Sequence, residues 1–412
     1  MIQRLKGTYD VLPGEIEKWQ YVEGKAKEVF ENFGYKEIRT PVIEATELFQ
    51  RGVGDTTDVV EKEMYVFDDK GGRSVALRPE GTAGVIRAYL ENGMSSLPSP
   101  QKLFYRIPVY RYENVQKGRQ REFNQIGCEM IGTGSYKADV ELIIMLDQFV
   151  KKLGITEYEI HLNSIGCKEC RAKYRDALRE FIKPNLDKYC DTCKGRYDRN
   201  PMRILDCKVE ADKEMNQNAP VITDYLCDEC KANFEKIQNE LKELGIDFQV
   251  DSGIVRGLDY YTRTVFEFIS KTDGLTILGG GRYDGLVEEL GGPSTPALGF
   301  GVGEERILNL MKDTNVEFPA ARTPDLSIVA IGEKADTEAT KIAAKLRENG
   351  KFIEKDVMDR GVNAQFKYAN KIGAKYVVTI GDDELASGKV QLKNMESGET
   401  EEISISEIGD KI

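Results

Sequence analysis

Histidine is almost absent from this sequence of 412 residues, which contains a single one, His161. Metal sites built on pairs of imidazoles need at least two histidines, and serine or cysteine nucleophiles usually need a histidine as their base. Both kinds of chemistry are therefore nearly excluded. His161 lies in the alternating segment EYEIHLNS, where we expect a packing or surface role.

Long apolar runs are also lacking. No window reaches the roughly 18 uninterrupted apolar residues that span a bilayer, and the opening MIQRLKGTYDVLPG has no apolar signal region. We therefore expect a cytoplasmic protein with no membrane partner. The net charge of -12 excludes a surface that is basic all over, although it leaves room for local basic patches.

The usual nucleotide-binding loops are missing as well. The chain has no GxxxxGK[ST] motif, and its glycine runs GGGRYDG and GFGVG lack the GxGxxG spacing with an acidic residue about 20 positions on. A P-loop or a dinucleotide fingerprint is therefore not predicted.

Periodicity and composition divide the chain into five parts. Mixed helix and strand patterns fill residues 1–166, charged helical patterns with cysteine pairs fill 167–245, and strand patterns resume over 246–312. A polar linker with two prolines follows at 313–324. Residues 325–412 alternate between strand and helix, which predicts a small separate α/β domain of βαβαβ order.

Arginines are dense on predicted strands and at helix starts. The planar guanidinium keeps its charge at physiological pH and forms paired contacts with phosphate or carboxylate. Chemistry that needs charge stabilisation without a covalent nucleophile is typical of phosphoryl or nucleotidyl transfer. Each arginine taken singly is also compatible with a surface salt bridge. The set is Arg106, Arg111, Arg119, Arg121, Arg256, Arg282 and Arg306.

Several motifs together resemble one family. RGLDYYTRTVFEF and GGGRYDGLVEELGG resemble the two signature segments of the class II histidyl-tRNA synthetases. RTPVIE, YRYENVQKGRQREFNQIGCE and GFGVGEER resemble class II motifs 1, 2 and 3, and LRPEGTAG resembles a further binding segment. The resemblance implies an α+β class II catalytic core, with an antiparallel sheet flanked by helices, a helical insertion and a C-terminal α/β anticodon-binding domain.

The resemblance also implies a reaction, which is ATP-dependent ligation of L-histidine to the tRNA for histidine through a histidyl-adenylate. In the family, the arginine of RGLDYY neutralises the substrate carboxylate and the α-phosphate, so Arg256 is expected to be the catalytic cation. Arg111 would hold the α-phosphate and share the catalytic role, and Glu113 would bind the adenine amino group. Arg119 and Arg306 would hold the outer phosphates, with Mg2+ bridging them.

The same resemblance assigns the amino-acid site. Glu80, Thr82 and Gln125 would bind the α-amino group of histidine, and Glu129 and Tyr261 its imidazole, with Tyr283 nearby. A carboxylate and a phenol suit an imidazole, which donates at one ring nitrogen and accepts at the other.

Four positions depart from the family pattern. Asn114 and Val115 replace the usual arginine and proline of motif 2 and could alter contacts with the tRNA acceptor end. Asn124 stands where histidine is common, and Glu304 occupies an often apolar place in motif 3.

Cysteine usage indicates thiols or metal ligands, because a large chain without a secretion signal is not expected to form disulfides. CxxC pairs at 167–170, 190–193 and 227–230 have the spacing of zinc ligands, with Cys207 between them. We expect a structural Zn2+ in the insertion on two of these pairs, Cys190, Cys193, Cys227 and Cys230. Folding of the insertion with free thiols is the alternative.

The last domain is locally basic, and the resemblance assigns it to anticodon binding, although a solvated helix face is the simpler interpretation. Its cations are Lys341, Lys345, Arg347, Lys351, Lys355, Arg360, Lys367, Lys371 and Lys375. Motif 1 and the first helix imply a homodimer. Two alternatives stay open: a catalytically silent histidine-binding paralogue, of the ATP phosphoribosyltransferase regulatory type, and a sensor of uncharged tRNA.

Overall fold

The computed structural model describes residues 1–54, 57–116, 118–205, 207, 209–254 and 258–412. The chain forms two compact units, Met1–Pro319 and Ala320–Ile412. The first unit has a mainly antiparallel sheet flanked by helices, and the second is an α/β unit, as expected. The finer division of the first unit at 166/167, 245/246 and 312/313 stays a prediction.

The strands of the described residues are numbered along the chain. They are β1 Lys36–Glu37, β2 Ile43–Ala45, β3 Val66–Asp68, β4 Ser74–Leu77, β5 Gln101–Tyr110, β6 Glu122–Ile131, β7 Tyr158–Ser164, β8 Gln249–Val250, β9 Thr262–Ser270, β10 Thr276–Arg282, β11 Ala297–Gly303, β12 Leu326–Ala330, β13 Ile353–Lys355, β14 Tyr376–Ile380, β15 Lys389–Asn394 and β16 Thr400–Ser404.

The α-helices are numbered in the same way. They are α1 Ile16–Asn32, α2 Thr46–Val53, α3 Thr82–Glu91, α4 Tyr136–Lys152, α5 Lys168–Ile182, α6 Asp191–Arg199, α7 Glu210–Asn216, α8 Asp228–Glu243, α9 Leu286–Glu289, α10 Glu304–Asp313, α11 Glu333–Glu348, α12 Val362–Lys371, α13 Asp382–Ser387 and α14 Ile408–Lys411.

The central sheet has the strand order β1-β5-β6-β11-β10-β9-β7-β8. Its interior pairs are antiparallel, whereas the short edge strands β1 and β8 run parallel to their neighbours. The extended run YKEIRTPVIE does not form one strand, because its two halves join different sheets: β1 joins the central sheet and β2 a small sheet ordered β2-β4-β3. Pro41 lies between the halves, where its missing amide donor interrupts the ladder.

Alternation along β6 gives the sheet two different faces. Ile126, Cys128 and Met130 pack into the core that also contains residues of α1, α4 and α10. Gln125 and Glu129 point to the opposite face because strand side chains alternate. That face is covered by α3 and by residues of the insertion, so the acidic and amide side chains of β6 lie beneath the start of α3.

Helices α5–α8 occupy the chain between β7 and β8, as expected for an insertion between strands of one core. The segment VRGLDYYTRTVFEF has the composition of a strand, and in the described residues strand β9 begins at Thr262. Arg263 has φ 51, and the pairing with β10 shifts register beside it, so regular alternation cannot continue back through the bulge. Val255, Arg256 and Gly257 lie outside the described residues.

The second unit confirms the βαβαβ order and extends it. Strands β13, β12 and β14 are parallel, and an antiparallel hairpin, β15–β16, completes the sheet. The sequence pattern predicts a helix from about Thr337 to Asn349, and helix α11 begins four residues earlier, at Glu333. Several cations of the expected basic face form ion pairs with acidic side chains of the same unit. They are Lys341, Lys355, Arg360 and Lys375.

None of the helices in the described ranges is both long enough and apolar enough to cross a lipid bilayer.

Candidate active site

Glu129 lies on β6 with its carboxylate fully buried. Its Oε1 accepts hydrogen bonds from the hydroxyls of Thr82 at 2.7 Å and Tyr105 at 3.0 Å, and its Oε2 accepts one from Tyr283. Gly299 faces it on β11, where a Cβ atom would come within 2.0 Å of Oε2. Burial raises the pKa of Glu129 to about 8, although the hydroxyl donors oppose the shift. Glu129 is therefore a buried acceptor whose partners are neutral.

The start of α3 carries the next group of predicted residues. The two carboxylate oxygens of Glu80 accept from the backbone amides of Thr82 and Ala83, each at 2.7 Å. Gln125 Oε1 accepts from the amide of Gly81 at 2.9 Å. These amides are unpaired donors of a helix N-terminus, which favours a carboxylate. Burial raises the pKa of Glu80, and the amide bonds oppose that rise.

Tyr283, a hydrogen-bond partner of Glu129, belongs to a cluster of three tyrosines. The rings of Tyr260 and Tyr261 lie 4.8 Å apart between centroids, and the ring of Tyr260 meets that of Tyr283 edge-on at 5.4 Å. All three are buried. Tyr261 and Tyr283, two of the residues expected to surround an imidazole, are thus joined through Tyr260.

Arg111, Glu113 and Arg119 form a second polar group where the β5–β6 connection leaves the sheet. Arg111 Nε donates to the carbonyl of Pro79 at 2.8 Å, and Arg111 Nη1 lies 3.7 Å from Glu113 Oε1. Arg119 Nη1 donates to Glu113 Oε2 at 3.3 Å. Since Pro79 directly precedes Glu80, this group is anchored to the segment that carries the predicted amino-acid site.

Arg306 is engaged elsewhere in the structure. Its Nη1 and Nη2 donate to the two carboxylate oxygens of Asp273, both at 2.8 Å, in the turn between β9 and β10. The same contacts hold the pKa of Asp273 well below its usual range. The structure does not bring Arg306 into contact with Arg111 or Arg119. Arg256, the expected catalytic cation, lies outside the described residues.

Two departures from the family pattern have local partners. Glu304 is fully buried, and its Oε2 accepts from Arg106 Nε at 3.1 Å. Burial raises the pKa of Glu304 to about 8, while Arg106 opposes the shift. The backbone amide of Asn124 donates to Glu305 Oε1 at 2.8 Å. Arg106 is thus part of an ion pair within the protein. Arg282 is part of another, because its Nε and Nη2 donate to buried Asp139.

The predicted cysteine quartet is not brought together, and this corrects the expected grouping. Cys227 and Cys230 converge with Cys167 and Cys170, whereas Cys190 and Cys193 converge with Cys207 and Asp212. Within each group, the ligand atoms lie within 4.8 Å of one another. The thiols of the expected quartet therefore belong to two different clusters.

Sequence reasoning missed Tyr105, Phe123 and Arg171. Tyr105 could have been found from the hairpin register, which pairs it with Gly127 and places its hydroxyl beside Glu129. Phe123 lies 5.4 Å from the guanidinium of Arg111, measured to the ring centroid. Arg171 Nη1 donates to the carbonyl of Tyr261 at 3.0 Å. The two residues are far apart in the sequence, so no local sequence pattern predicts this contact.

Two family models match this sequence. The model described as Histidyl-tRNA synthetase covers residues 7–307, and the one described as Anticodon binding domain covers residues 325–412. The histidine–tRNA ligase of Acetivibrio thermocellus is 55% identical over 407 residues, with 98% of each chain covered. That of Caldanaerobacter subterraneus subsp. tengcongensis is 52% identical over 405 residues, with 98% of this chain and 97% of the relative covered.

Solved structures give the same likeness. The apo histidyl-tRNA synthetase of S. aureus is similar with a TM-score of 0.86 and 39% identity, over 100% of this chain and 99% of that one. A structure from Bacillus halodurans, described as an ATP phosphoribosyltransferase regulatory subunit/histidyl-tRNA synthetase, has a TM-score of 0.67 and 22% identity, over 92% of this chain and 98% of that one. At that identity, the second likeness shows the fold alone.

Proposed function

The chain belongs to the histidyl-tRNA synthetase family, and from this premise we propose the roles that its residues play. The protein is an AMP-forming aminoacyl-tRNA synthetase, which joins histidine to its tRNA in an ATP-dependent reaction through histidyl-adenylate. Identity of 55% over nearly the whole chain to a histidine–tRNA ligase is the observation that carries this conclusion.

The imidazole of histidine binds between Glu129 and Tyr261, with Tyr283 completing the pocket. Support comes from Glu129, whose carboxylate accepts hydrogen bonds from three hydroxyls. An imidazole N–H can take the place of one of these hydroxyl donors. A buried carboxylate left without a donor is costly. Selectivity follows because an amino acid without a ring N–H cannot satisfy this acceptor.

The α-amino group of histidine binds at Glu80, Thr82 and Gln125. These residues surround one turn of backbone at the start of α3. The carboxylate of Glu80 supplies the negative charge that an ammonium group needs, while its hydrogen bonds to backbone amides keep it in position.

ATP binds over Arg111, Glu113 and Arg119. Arg111 contacts the α-phosphate, Glu113 the adenine amino group, and Arg119 and Arg306 the outer phosphates. Mg2+ enters with ATP as a complex with its phosphates. Arg256, on the resemblance of RGLDYY, supplies the cation between the histidine carboxylate and the α-phosphate. Positive charge held in place before the reaction lowers the barrier where negative charges meet.

Arg306 must leave Asp273 to fill this role. Both of its terminal nitrogens bind Asp273 at 2.8 Å, so ATP competes with a carboxylate for the same guanidinium. We propose that the phosphate contact replaces this ion pair.

The other partners follow from the family. Residues 325–412 bind the anticodon of the tRNA for histidine, and the protein acts in the cytoplasm as a homodimer. Exposed apolar side chains on the small sheet, Ile43, Val66 and Phe67, support a protein partner there. Structural zinc is held by thiolates of the insertion and takes no part in catalysis.

Histidine-dependent exchange of labelled pyrophosphate into ATP tests these roles. We expect exchange by the unmodified protein, a fall of orders of magnitude in Arg256→Ala, and a fall of about 100-fold in kcat/KM for histidine in Glu129→Gln. Glu157→Gln, an exposed change of the same chemistry, should leave exchange unchanged. A folded protein that binds histidine without any exchange would instead be a regulatory paralogue.

A further inference from the structure

Two thiol clusters lie in the insertion, outside the site of adenylate formation. Cluster A consists of Cys167, Cys170, Cys227 and Cys230, and cluster B consists of Cys190, Cys193, Cys207 and Asp212. Each brings four potential ligands, one atom from each residue, within 4.8 Å of one another. The ligands of each cluster come from segments far apart in the sequence or separated by a turn, so the fold itself assembles them.

Cluster A is built from two helix starts. Cys167 and Cys227 are the residues directly before α5 and α8, and Cys170 and Cys230 lie one turn into these helices. The CxxC spacing therefore places both thiols of a pair at the same helix N-terminus, where backbone amides and the helix dipole favour thiolates. The amide of Cys227 donates to Cys170 Sγ at 3.1 Å, a bond that links the two pairs.

Gly166 allows this arrangement to close. Its φ is +67, and a Cβ atom there would come within 2.4 Å of the Cβ of Cys170. A larger residue would suffer both backbone strain and a direct clash. The close approach thus depends on glycine at the position immediately before the first ligand.

Cluster B joins α6, the following turn and α7. Cys190 directly precedes α6, Cys193 lies one turn into it, and Cys207 and Asp212 come from the later segments. Cys207 Sγ lies 3.2 Å from Asp212 Oδ2 and 3.9 Å from Cys190 Sγ. Asp212 is buried among thiols and also accepts from the amide of Cys190 at 3.2 Å. Once the three thiols are ionised, these four negative groups need a cation between them.

The sulfur spacing fits a tetrahedral metal better than a disulfide. A Zn–S bond of about 2.3 Å places the sulfurs of a tetrahedral site about 3.8 Å apart, whereas a disulfide needs about 2.05 Å. The measured separations are 3.5 Å for Cys167 and Cys170 and 3.9 Å for Cys190 and Cys207, and all eight cysteines are free thiols. Soft thiolates with at most one carboxylate select zinc over magnesium or calcium.

We propose that the insertion binds two zinc ions at separate sites, one held by the four thiolates of cluster A and one by the three thiolates and the carboxylate of cluster B. This inference rests on the proposed structural zinc for the identity of the metal, and adds the number of ions and their ligands. It does not depend on ligase activity, because metal content is measured separately.

Each site closes a different loop of the insertion. The site in cluster A joins the beginning of the insertion to its last helix, and Cys170 and Cys227 are 57 positions apart in the sequence. The site in cluster B fixes the shorter segment between α6 and α7. Metal binding in each case adds to folding stability, because the unfolded chain holds no preformed site.

Zinc content of the full chain tests the proposal. The protein is produced without a histidine tag, because added imidazoles bind metal, and zinc is counted per chain by mass spectrometry of the acidified sample. We expect two ions in the unmodified protein and one in either double variant, Cys227→Ser with Cys230→Ser or Cys190→Ser with Cys193→Ser. One ion in the unmodified protein and none in either variant would indicate a single mixed site and overturn the proposal.

A matched pair tests the carboxylate ligand. Asp212→Asn should reduce the zinc content from two ions to one, whereas Glu210→Gln, on the exposed side of the same helix, should retain two. Retention of two tightly held ions by Asp212→Asn would remove Asp212 from the ligand set and overturn that assignment.

Cobalt replacement keeps the proposal falsifiable if the serine variants fail to fold. Titration of the metal-free unmodified protein with Co2+ should end at two equivalents, with the absorption of tetrahedral cobalt bonded to thiolates. Saturation at one equivalent, or octahedral spectra, would overturn the proposal, and so would fewer than eight thiols counted after denaturation without a reductant.

Discussion

Arg171 Nη1 donates a hydrogen bond of 3.0 Å to the backbone carbonyl of Tyr261. Arg171 follows Cys170 in the first turn of α5, and Tyr261 belongs to the proposed pocket for the imidazole. Arg171 is half-buried, and burial lowers the pKa of its guanidinium. A further link lies beside it, because the amide of Arg263 donates to the carbonyl of Gly166 at 2.8 Å. Hydrogen bonds therefore link the segment that carries cluster A to the segment that carries the proposed histidine pocket.

Arg171→Ala should raise KM for histidine by about tenfold and change KM for ATP little. The variant removes a charge-assisted hydrogen bond, which contributes roughly 1.5–3 kcal/mol, from the residue that positions the Tyr261 backbone. Steady-state pyrophosphate exchange with each substrate varied in turn measures both constants. Lys173→Ala, on the exposed side of the same helix, is the control. Equal increases in both constants would indicate general damage rather than positioning.

Glu129→Gln should make stability less dependent on pH. The folded-state pKa of about 8 lies above the ordinary value of 4.5, so Glu129 takes up a proton on folding between these limits. The unmodified protein consequently loses stability as pH rises through about 8. One pKa unit corresponds to about 1.4 kcal/mol, so the loss reaches several kcal/mol. The glutamine variant has no carboxyl group at this position and therefore lacks this pH-dependent loss of stability.

Melting temperatures at pH 5 and pH 8.5, without substrates, measure the effect. The difference in Tm, variant minus unmodified protein, should be more positive at pH 8.5 by several degrees. A difference that does not change with pH would mean that Glu129 is ionised at both values. Glu157→Gln supplies the baseline, because that residue is exposed.

The site residues were predicted from family motifs, and the periodicity of the strands and helices explains why several of them lie close together in the structure. Gln125 and Glu129 lie four residues apart on β6 and therefore share a face. Glu80 lies two residues before the start of α3, so the backbone amides of Thr82 and Ala83 reach its carboxylate. Family motifs also identified the fold, which no periodicity could supply for a sheet in which pairs such as β1–β5, β6–β11 and β7–β9 are far apart in sequence.

The thiol grouping could not be predicted in this way. Three CxxC pairs allow several combinations, and the spacing within each pair is the same in all of them. Only the packing of α5 against the start of α8 decides that Cys170 meets Cys227. The ion pair between Arg306 and Asp273 could not be predicted from the sequence either, because it depends on where the β9–β10 turn lies.

Asp273→Asn should lower KM for ATP several-fold. Asp273 holds both terminal nitrogens of Arg306 at 2.8 Å, and loss of its charge leaves the guanidinium held by the backbone carbonyls of Thr276 and Leu275, so that phosphate competes for it more easily. Arg306→Ala should have the opposite effect and raise KM for ATP by tenfold or more. Pyrophosphate exchange with ATP varied measures both variants. An increase in KM for ATP in Asp273→Asn would show instead that Asp273 orients Arg306 for the phosphate.

Lys367 and Lys371 lie one turn apart on the exposed side of α12. Neither forms an ion pair within the described part of the second unit, in contrast to Lys341, Lys355 and Lys375, which pair with acidic residues. Two cations without a carboxylate partner are suited to phosphate contacts, and the proposed anticodon site lies on this unit.

Lys367→Gln combined with Lys371→Gln should weaken binding of the tRNA by about tenfold and reduce its dependence on salt. Each lost phosphate contact lowers the slope of log K against log salt by about 0.7–0.9, so the slope should fall by about 1.5. Binding is measured at several salt concentrations. The control is Lys389→Gln with Lys411→Gln, which removes the same charge from residues paired with Glu402 and Glu401. Equal losses in both double variants would show that net charge, rather than the exposed side of α12, governs binding.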